Sequence, residues 1–338
     1  MTYHATLIPG DGIGPEITAA TLKVLSATGV AFDWDEQLAG IAAVEKAGTP
    51  IPEGTLQSIR ERKLALKGPL TTPVGSGFRS VNVALRKEFE LFANLRPAIT
   101  ILPGRYDNID IVLVRENLEG LYSGVEHFIQ IGSDPRAVAV SEAILTRQVA
   151  ERIVRYAFDY ALTHQRKKVT LVHKANILKM VGGLFLEVGR SVAREFEGKV
   201  ACNDLIVDNA AMQLVLKPEQ FDVIVTTNLF GDILSDLISG LVGGLGLTPG
   251  GNIGANVAIF EAVHGSAPDI AGQGVANPSA HMLAAAMMLD HVKEHAAAGR
   301  VREGIRRTIV DDGIRTRDLG GTANTAEFSD AVARRVAG

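Results

Sequence analysis

FDVIVTTNLFGDILSDLISGLVGGLGLTPGGNIG, residues 221–254, is the stretch on which the reading of the chain turns. Residues 221–226 form a short β-branched apolar run, the pattern of a buried strand. The run leads into Asn228-Leu-Phe-Gly-Asp232 and Ile-Leu-Ser-Asp236. A helix begun by Gly231 sets Asp232 and Asp236 one turn apart on one face. Two carboxylates stacked in this way repel unless a cation sits between them, and their hard oxygens suit Mg²⁺ or Mn²⁺. A bare DxxxD is most often a solvated helix face. Here the pair follows a buried strand, where open α/β sheets place their ligands. A glycine-rich segment suited to a hinge or a close backbone approach comes after it.

The rest of the chain narrows the class. At 338 residues it is long enough for two domains or one large doubly wound sheet. A hydrophobic content of 46% with 21% charged residues is that of a globular protein in water. A net charge of −4 and a pI near 6.1 leave no basic footprint for nucleic acid, so the expected substrate is small. Cys202 is the only cysteine, which rules out an internal disulfide and fits a reducing compartment, the cytoplasm or a mitochondrial matrix. The apolar run at 4–9 is broken at once by Gly10-Asp11-Gly12, so no signal peptide is expected. No uncharged run reaches the ~18 residues of a membrane span.

In chain order, a strand at 5–9 runs into Gly10-Asp-Gly12-Ile-Gly14-Pro15-Glu16 and a helix at 16–27. Pro15 and Glu16 suit a first helical turn. The spacing is G-x-G-x-G rather than the dinucleotide fingerprint G-x-G-x-x-G, so a tight turn near a site is expected. A glycine-, proline- and hydroxyl-rich segment after a strand at 64–66 ends at Ser80, either a plain N-cap or part of an anion site. Arg96 and Arg115 each end an apolar run, at 91–95 and 109–114. A cation at a strand terminus points into the crevice where substrates lie, and guanidinium forks grip carboxylates. With Arg86 they imply a substrate bearing several carboxylates. Lys174, after a strand at 169–172, is by default an ion-pair partner, but in a polar crevice it is a candidate proton acceptor. Asp208 is expected to end a strand at 205–208. The loop from Glu261 to Gly272 has the chemistry to hold a nucleotide. His291 and His295 have the spacing of a zinc pair but no third ligand nearby.

Six segments then occur in order: IPGDGIGPE (8–16), KGPLTTPVGSGFRSVNVALR (67–86), RENLEGLYSGVEH (115–127), HKANI (173–177), NLFGDILSD (228–236) and HGSAPDIAG (264–272). Together they resemble the isocitrate/isopropylmalate dehydrogenase family of metal-dependent decarboxylating dehydrogenases, over essentially the whole chain. The resemblance implies a two-domain α/β fold with a non-Rossmann dinucleotide site. One domain would comprise residues 1–91 and 243–338, and a smaller one residues 92–242 with a dimerising arm at about 120–147. It also implies a homodimer with shared active sites. Asp232 and Asp236, with Asp208 from the partner subunit, would hold Mg²⁺ or Mn²⁺. Arg86, Arg96 and Arg115 would clamp the carboxylates of a tricarboxylate, with Ser80 and Asn82 meeting its γ-carboxylate. Lys174 from the partner subunit would take the hydroxyl proton, and Tyr122 would be the acid. Thr72, Asn82, His264, Gly265, Ala267, Asp269, Ile270 and Asn277 would contact the dinucleotide. NADP-specific relatives carry lysine and tyrosine where this chain has Asp269-Ile270. Since an aspartate accepts from a ribose 2′-hydroxyl and repels a phosphate, NAD is expected. Polar Ser80 and Asn82 favour isocitrate. Homoisocitrate, 3-isopropylmalate and a regulatory subunit of a heteromeric enzyme are the alternatives.

Overall fold

A computed structural model describes residues 1–72, 78, 80–102, 104 and 106–338. The glycine-rich centre of the segment before Ser80, residues 73–77 with Arg79, lies outside the described residues. The first elements are β1 (Thr2–Ile8), α1 (Gly14–Ala27), β2 (Ala31–Glu36), α2 (Ile41–Ala47), α3 (Glu53–Arg62), β3 (Leu64–Lys67), α4 (Val81–Glu88) and β4 (Ala93–Ile99). Then come β5 (Asp110–Glu116), β6 (Gly120–Ile131), β7 (Asp134–Ile144), α5 (Arg147–Thr163), β8 (Lys168–His173) and α6 (Val181–Glu195). They are followed by β9 (Ala201–Ile206), α7 (Val207–Leu216), β10 (Val223–Thr226) and α8 (Asn228–Leu241). The last are β11 (Pro249–Ile253), β12 (Ala258–Ala262), α9 (Ser279–His291), α10 (His295–Val310) and α11 (Thr325–Ala337). The chain forms two compact units: one of Met1–Leu91, Arg96–Ile109 and Ser239–Gly338, the other of Phe92–Leu95 and Asp110–Ile238. Among the described residues no helix is long and apolar enough to cross a membrane.

In the first unit the strands run in the order β2-β1-β3-β12-β11, parallel except for β11 against β12. All four residues of β3 are buried, as are the last four of β1, the near-continuous apolar pattern of a parallel strand covered on both faces. Helix α9 is buried from Ser279 to Leu289, consistent with a sequence of alanine, methionine and leucine on every side. The turn after β1 uses glycines in the left-handed region, Gly10 (φ +85°) and Gly12 (φ +59°). Between them Asp11 is 6% exposed, and its carboxylate accepts from the backbone N–H groups of Ile41, Ala42 and Thr71. It anchors the start of α2.

The second unit has an all-parallel sheet in the order β5-β10-β8-β9. Its register sets the site: Thr226 lies opposite both Arg115 and Val172, and His173 lies opposite Ile206. Four strands therefore release the chain at one edge, sending out Glu116–Tyr122, Lys174, Asp208 and Asn228–Asp236 together. The hairpin β6–β7 leaves Phe128, Ile129 and Ile131 about half exposed or more.

Two local expectations are corrected, and two readings left open are decided. Arg96 stands in the middle of β4 rather than at a strand terminus, because Pro97, Ala98 and Ile99 continue the extended run. Asp208 sits in the first turn of α7, the strand having ended at Ile206, where an acid suits the positive helix end. The glycine-rich stretch contains β11, whose Gly251 lets Phe260 and Met287 approach to 3.1 and 3.2 Å of where a Cβ would stand. His291 closes α9 and His295 opens α10, with Lys293 between them at φ +70°, so the two imidazoles do not share a helix face. His295 instead pairs with Asp290 at 2.9 Å.

His281 in α9 is fully buried, and its Nε2 lies 3.4 Å from Thr18 Oγ1. Burial, reinforced by the charges of His264 and Lys67, pushes its pKa down from 6.5 to about 3. A folded value below the unfolded one means that the unfolded chain takes up a proton the fold refuses. The stability is thus complete above 6.5 and is lost as the pH falls towards about 3. Urea titrations at about pH 7 and pH 4.5 should show a smaller acid loss for His281→Leu than for wild type. Equal losses would contradict the assignment.

Candidate active site

Arg115 is the anchor of the second unit's site. It is 1% exposed at the end of β5, and burying an unpaired guanidinium is prohibitive, so its partners are fixed. Its Nε and Nη2 donate to Asn228 Oδ1 at 3.1 and 2.9 Å, and Nη1 donates to Asp232 Oδ1 at 2.5 Å. Helix α8 supplies both acceptors from successive turns. Gly231 between them makes room: a Cβ there would lie 2.5 Å from Arg115 Cγ. Tyr122 on β6 donates its hydroxyl to the other oxygen of Asp232 at 2.5 Å, and the Arg115 guanidinium lies 5.2 Å from its ring centre. One carboxylate thus gathers a cation and a phenol, while Asp236 stands one turn on along α8, exposed. Glu116, buried beside Arg115, accepts from the N–H groups of Leu118 and Glu119 and turns the chain towards Tyr122. Burial pushes its pKa up.

A second cluster stands at the ends of β8 and β9. Lys174 Nζ donates to Asp208 Oδ1 at 2.8 Å, with Asp208 well exposed. The lysine's hydrogen bond, with backbone N–H bonds, holds the Asp208 carboxyl below the usual range. Among the described residues no three His, Cys, Asp or Glu side chains converge on a cation position. Asp232 and Asp236 fit a divalent cation as a pair of hard oxygen donors, needing further ligands from elsewhere.

The first unit carries the remaining substrate candidates. Ser80 caps α4, its hydroxyl accepting from Val83 N–H at 3.4 Å. Asn82, in the first turn of α4, keeps a buried amide oxygen without a partner. Arg86 and Arg96 are each 7% exposed. Beneath Arg86 lies a network absent from the sequence reading. Lys67 Nζ pairs with Glu261 Oε2 at 2.6 Å, Asn252 donates to Glu261 Oε1 at 2.7 Å, and Arg86 Nη2 lies 3.9 Å from that oxygen. Burial alone would raise the Glu261 pKa, but Lys67 and Arg86 hold it at about 2. With Asn82 these residues line a small pocket.

The expected nucleotide residues lie in the same unit. His264 donates from Nδ1 to Gly265 O at 2.9 Å, burial holds its pKa down, and its Nε2 is a buried acceptor without a partner. Gly265 opens onto empty space, and Ala267 takes the left-handed conformation at φ +39°. Asp269 is exposed, whereas Ile270 packs towards Ile13 and Ile17. Asn277 donates to Asp318 at 2.8 Å and accepts from Ser279 N–H. Thr72 is exposed in the loop after β3. An unsatisfied imidazole acceptor, a glycine with open space and an exposed carboxylate fit an adenine base and a ribose diol. Arg315, near the C-terminus, donates to Ile309 O.

Sequence reasoning missed Asn228, Gly231, Glu261 and Asn252. Asn228 was in principle legible as the first polar residue of a helix that leaves a buried strand. Glu261 meets Lys67 only through the pairing of β12 with β3.

The sequence profile of the isocitrate/isopropylmalate dehydrogenase family matches residues 4–332. Isocitrate dehydrogenase (NAD) catalytic subunit 5, mitochondrial, of Arabidopsis thaliana is 48% identical over 332 residues, 97% of this chain and 87% of that protein. A mitochondrial regulatory chain of isocitrate dehydrogenase (NAD) from Dictyostelium discoideum is 46% identical over 335 residues, 98% of this chain and 91% of that protein. Among solved structures, isocitrate dehydrogenase from Methylococcus capsulatus superposes with a TM-score of 0.96 at 55% identity, covering 99% of this chain and all of that one.

Replacing Asn228 with leucine leaves the buried guanidinium short of its acceptor and should cost about 1.5–3 kcal/mol in urea unfolding. Gly231→Ala should destabilise by a similar order, about 1–3 kcal/mol, through overpacking on Arg115. Wild-type midpoints for both variants would show that Arg115 is not held this way.

Proposed function

The chain belongs to the isocitrate/isopropylmalate dehydrogenase family, and from that premise we propose that it oxidatively decarboxylates isocitrate to 2-oxoglutarate with NAD and a divalent cation. The observation that carries the reading is the meeting of Arg115 and the Tyr122 hydroxyl on the two oxygens of Asp232, one turn from Asp236. A carboxylate-binding cation, a proton donor and two hard metal ligands in one cluster are what removing a carboxyl group from a hydroxy acid requires.

Arg86, Arg96 and Arg115 take the substrate's carboxylates and fix its orientation. Asp232 and Asp236, with Asp208 of the partner subunit, hold Mg²⁺ or Mn²⁺. When bound, the cation supplies Lewis acidity and NAD supplies the hydride acceptor. Lys174, contributed by the partner subunit together with Asp208, takes the proton of the 2-hydroxyl. Tyr122 returns a proton to the carbon that has lost its carboxylate. Ser80 and Asn82 meet the γ-carboxylate, the hydroxyl and the amide N–H donating to it; an alkyl group laid against these donors would leave them unsatisfied, which disfavours 3-isopropylmalate. The exposed Asp269 accepts from the ribose 2′-hydroxyl and repels a 2′-phosphate, and His264, Gly265, Ala267, Ile270, Asn277 and Thr72 complete the dinucleotide contacts. The domain reading follows the family: residues 1–91 and 243–338 as one domain, residues 92–242 as the other.

We take the working form to be a homodimer. Support comes from apolar side chains left exposed around the second cluster and the hairpin: Ile177, Met180, Met212, Leu216, Ile233 and Ile131, each at least 50% exposed. A reducing compartment suits the free Cys202, and the two named relatives are mitochondrial.

Purified protein with Mg²⁺ should form NADH from isocitrate, much faster than NADPH and with no comparable rate on 3-isopropylmalate. Lys174→Met should lower kcat by a factor on the order of 10²–10⁴ while KM for isocitrate changes little. No turnover by the wild type would defeat the proposal, and a wild-type rate for Lys174→Met would remove the lysine from it.

A further inference from the structure

We infer that His173 is a positioning residue for Lys174: its imidazole ring, with the bare Cα of Gly182, clamps the backbone on which the lysine stands. The inference rests on the reading of Lys174 as the group that takes the hydroxyl proton.

His173 is the last residue of β8 and is 5% exposed. Its Nδ1 lies 3.0 Å from the backbone N of Ala175. A backbone N–H only donates, so Nδ1 must present its lone pair and the ring proton belongs on Nε2. Nε2 faces Asp204 Oδ2 at 3.3 Å. Asp204 is steadied in turn by Arg190 of α6, whose Nε and Nη2 donate to it at 3.2 and 2.8 Å. Both ring nitrogens are therefore committed, and the tautomer is set from two sides.

The need for the clamp follows from where the strand stops. His173 opposite Ile206 is the last pair in the β8–β9 register, so the ladder gives Ala175 no acceptor. The imidazole supplies it. From another direction Gly182 presses on the same peptide: a Cβ there would stand 3.0 Å from Ala175 N and 3.1 Å from both Ala175 Cα and Lys174 C. The Lys174 carbonyl is tied as well, accepting from Ile177 and Leu178 N–H at 3.1 and 2.9 Å. A lysine has a flexible four-carbon stem, and a drifting root multiplies the positions its Nζ can reach. Pinning Lys174–Ala175 confines Nζ to the neighbourhood of Asp208, 2.8 Å away, and so to one approach to the hydroxyl proton.

The test compares three substitutions at His173 with Lys174→Met in the full-length enzyme with Mg²⁺, NAD and isocitrate. Asparagine places an amide oxygen near the position of Nδ1 and keeps the acceptor. Glutamine reaches towards Asp204 but leaves Ala175 without one, and leucine does neither. His173→Gln and His173→Leu should lower kcat by about 10–100-fold with KM for isocitrate within about threefold of wild type. His173→Asn should recover kcat to within a few-fold of wild type. Should the leucine variant fail to fold, the Asn and Gln pair decides alone, and Gly182→Ala should reproduce the glutamine phenotype. Equal kcat for the Asn and Gln variants, at any level, would overturn the inference, as would a fall in kcat matched by a rise in KM. If Lys174→Met itself turns over normally, the base assignment fails first, whatever His173 does.

Discussion

A guanidinium at 1% exposure cannot be left without acceptors, and in this fold the burial of Arg115 governs what surrounds it. Loss of one hydrogen-bond partner of such a buried charge costs about 1.5–3 kcal/mol. Asn228 and Asp232 are therefore set at the start of α8, and Gly231 is constrained by the space that the arginine stem occupies. Since Asp232 also receives the Tyr122 hydroxyl, the constraint that keeps the cation buried also arranges the acid cluster. Helix α8 is thus tied to the end of β5 by an interaction that no surface pair could replace.

The Lys174–Asp208 pair is built on the opposite principle. Asp208 is exposed, so solvent screens its attraction for the lysine and the pair separates easily. An ion pair of that kind parts at little cost, whereas parting the Arg115 pair strands a buried charge unless another anion takes the place of Asp232. The buried Lys67–Glu261–Asn252 network belongs with Arg115: its members are fully engaged, and its task is to hold the floor beneath Arg86. Rigid buried polar groups thus stand apart from a loosely paired, partly buried lysine.

Much of this was legible in the sequence, where the information is local. The run ending at Thr226 and the spacing of Asp232 and Asp236 needed only the periods of strand and helix. Arg96 was misplaced because Leu91–Leu95 reads as a complete apolar strand, while the real one starts later and runs through Pro97 to Ile99. Strand β11 was invisible because Gly250 and Gly251 carry no β-branched signal; at Gly251 Phe260 and Met287 leave little room for a Cβ. The break between His291 and His295 depends on one residue, Lys293, adopting a left-handed conformation that nothing in its type announces. Glu261 and the His173–Asp204 contact depend on strand pairing, which brings together residues 194 and 31 positions apart.

The central claim is that each active centre joins the Arg115–Tyr122–Asp232 cluster of one protomer to Lys174 and Asp208 of its partner, around a cation and isocitrate. The most direct measurement is complementation between inactive variants. Lys174→Met and Tyr122→Phe preparations, each nearly inactive alone, are unfolded, mixed and refolded together, and NADH formation from isocitrate is followed. With random pairing, half the dimers are hybrids and one of their two sites is intact, so about a quarter of wild-type activity should return. Activity no higher than that of the two variants assayed separately would contradict the shared site.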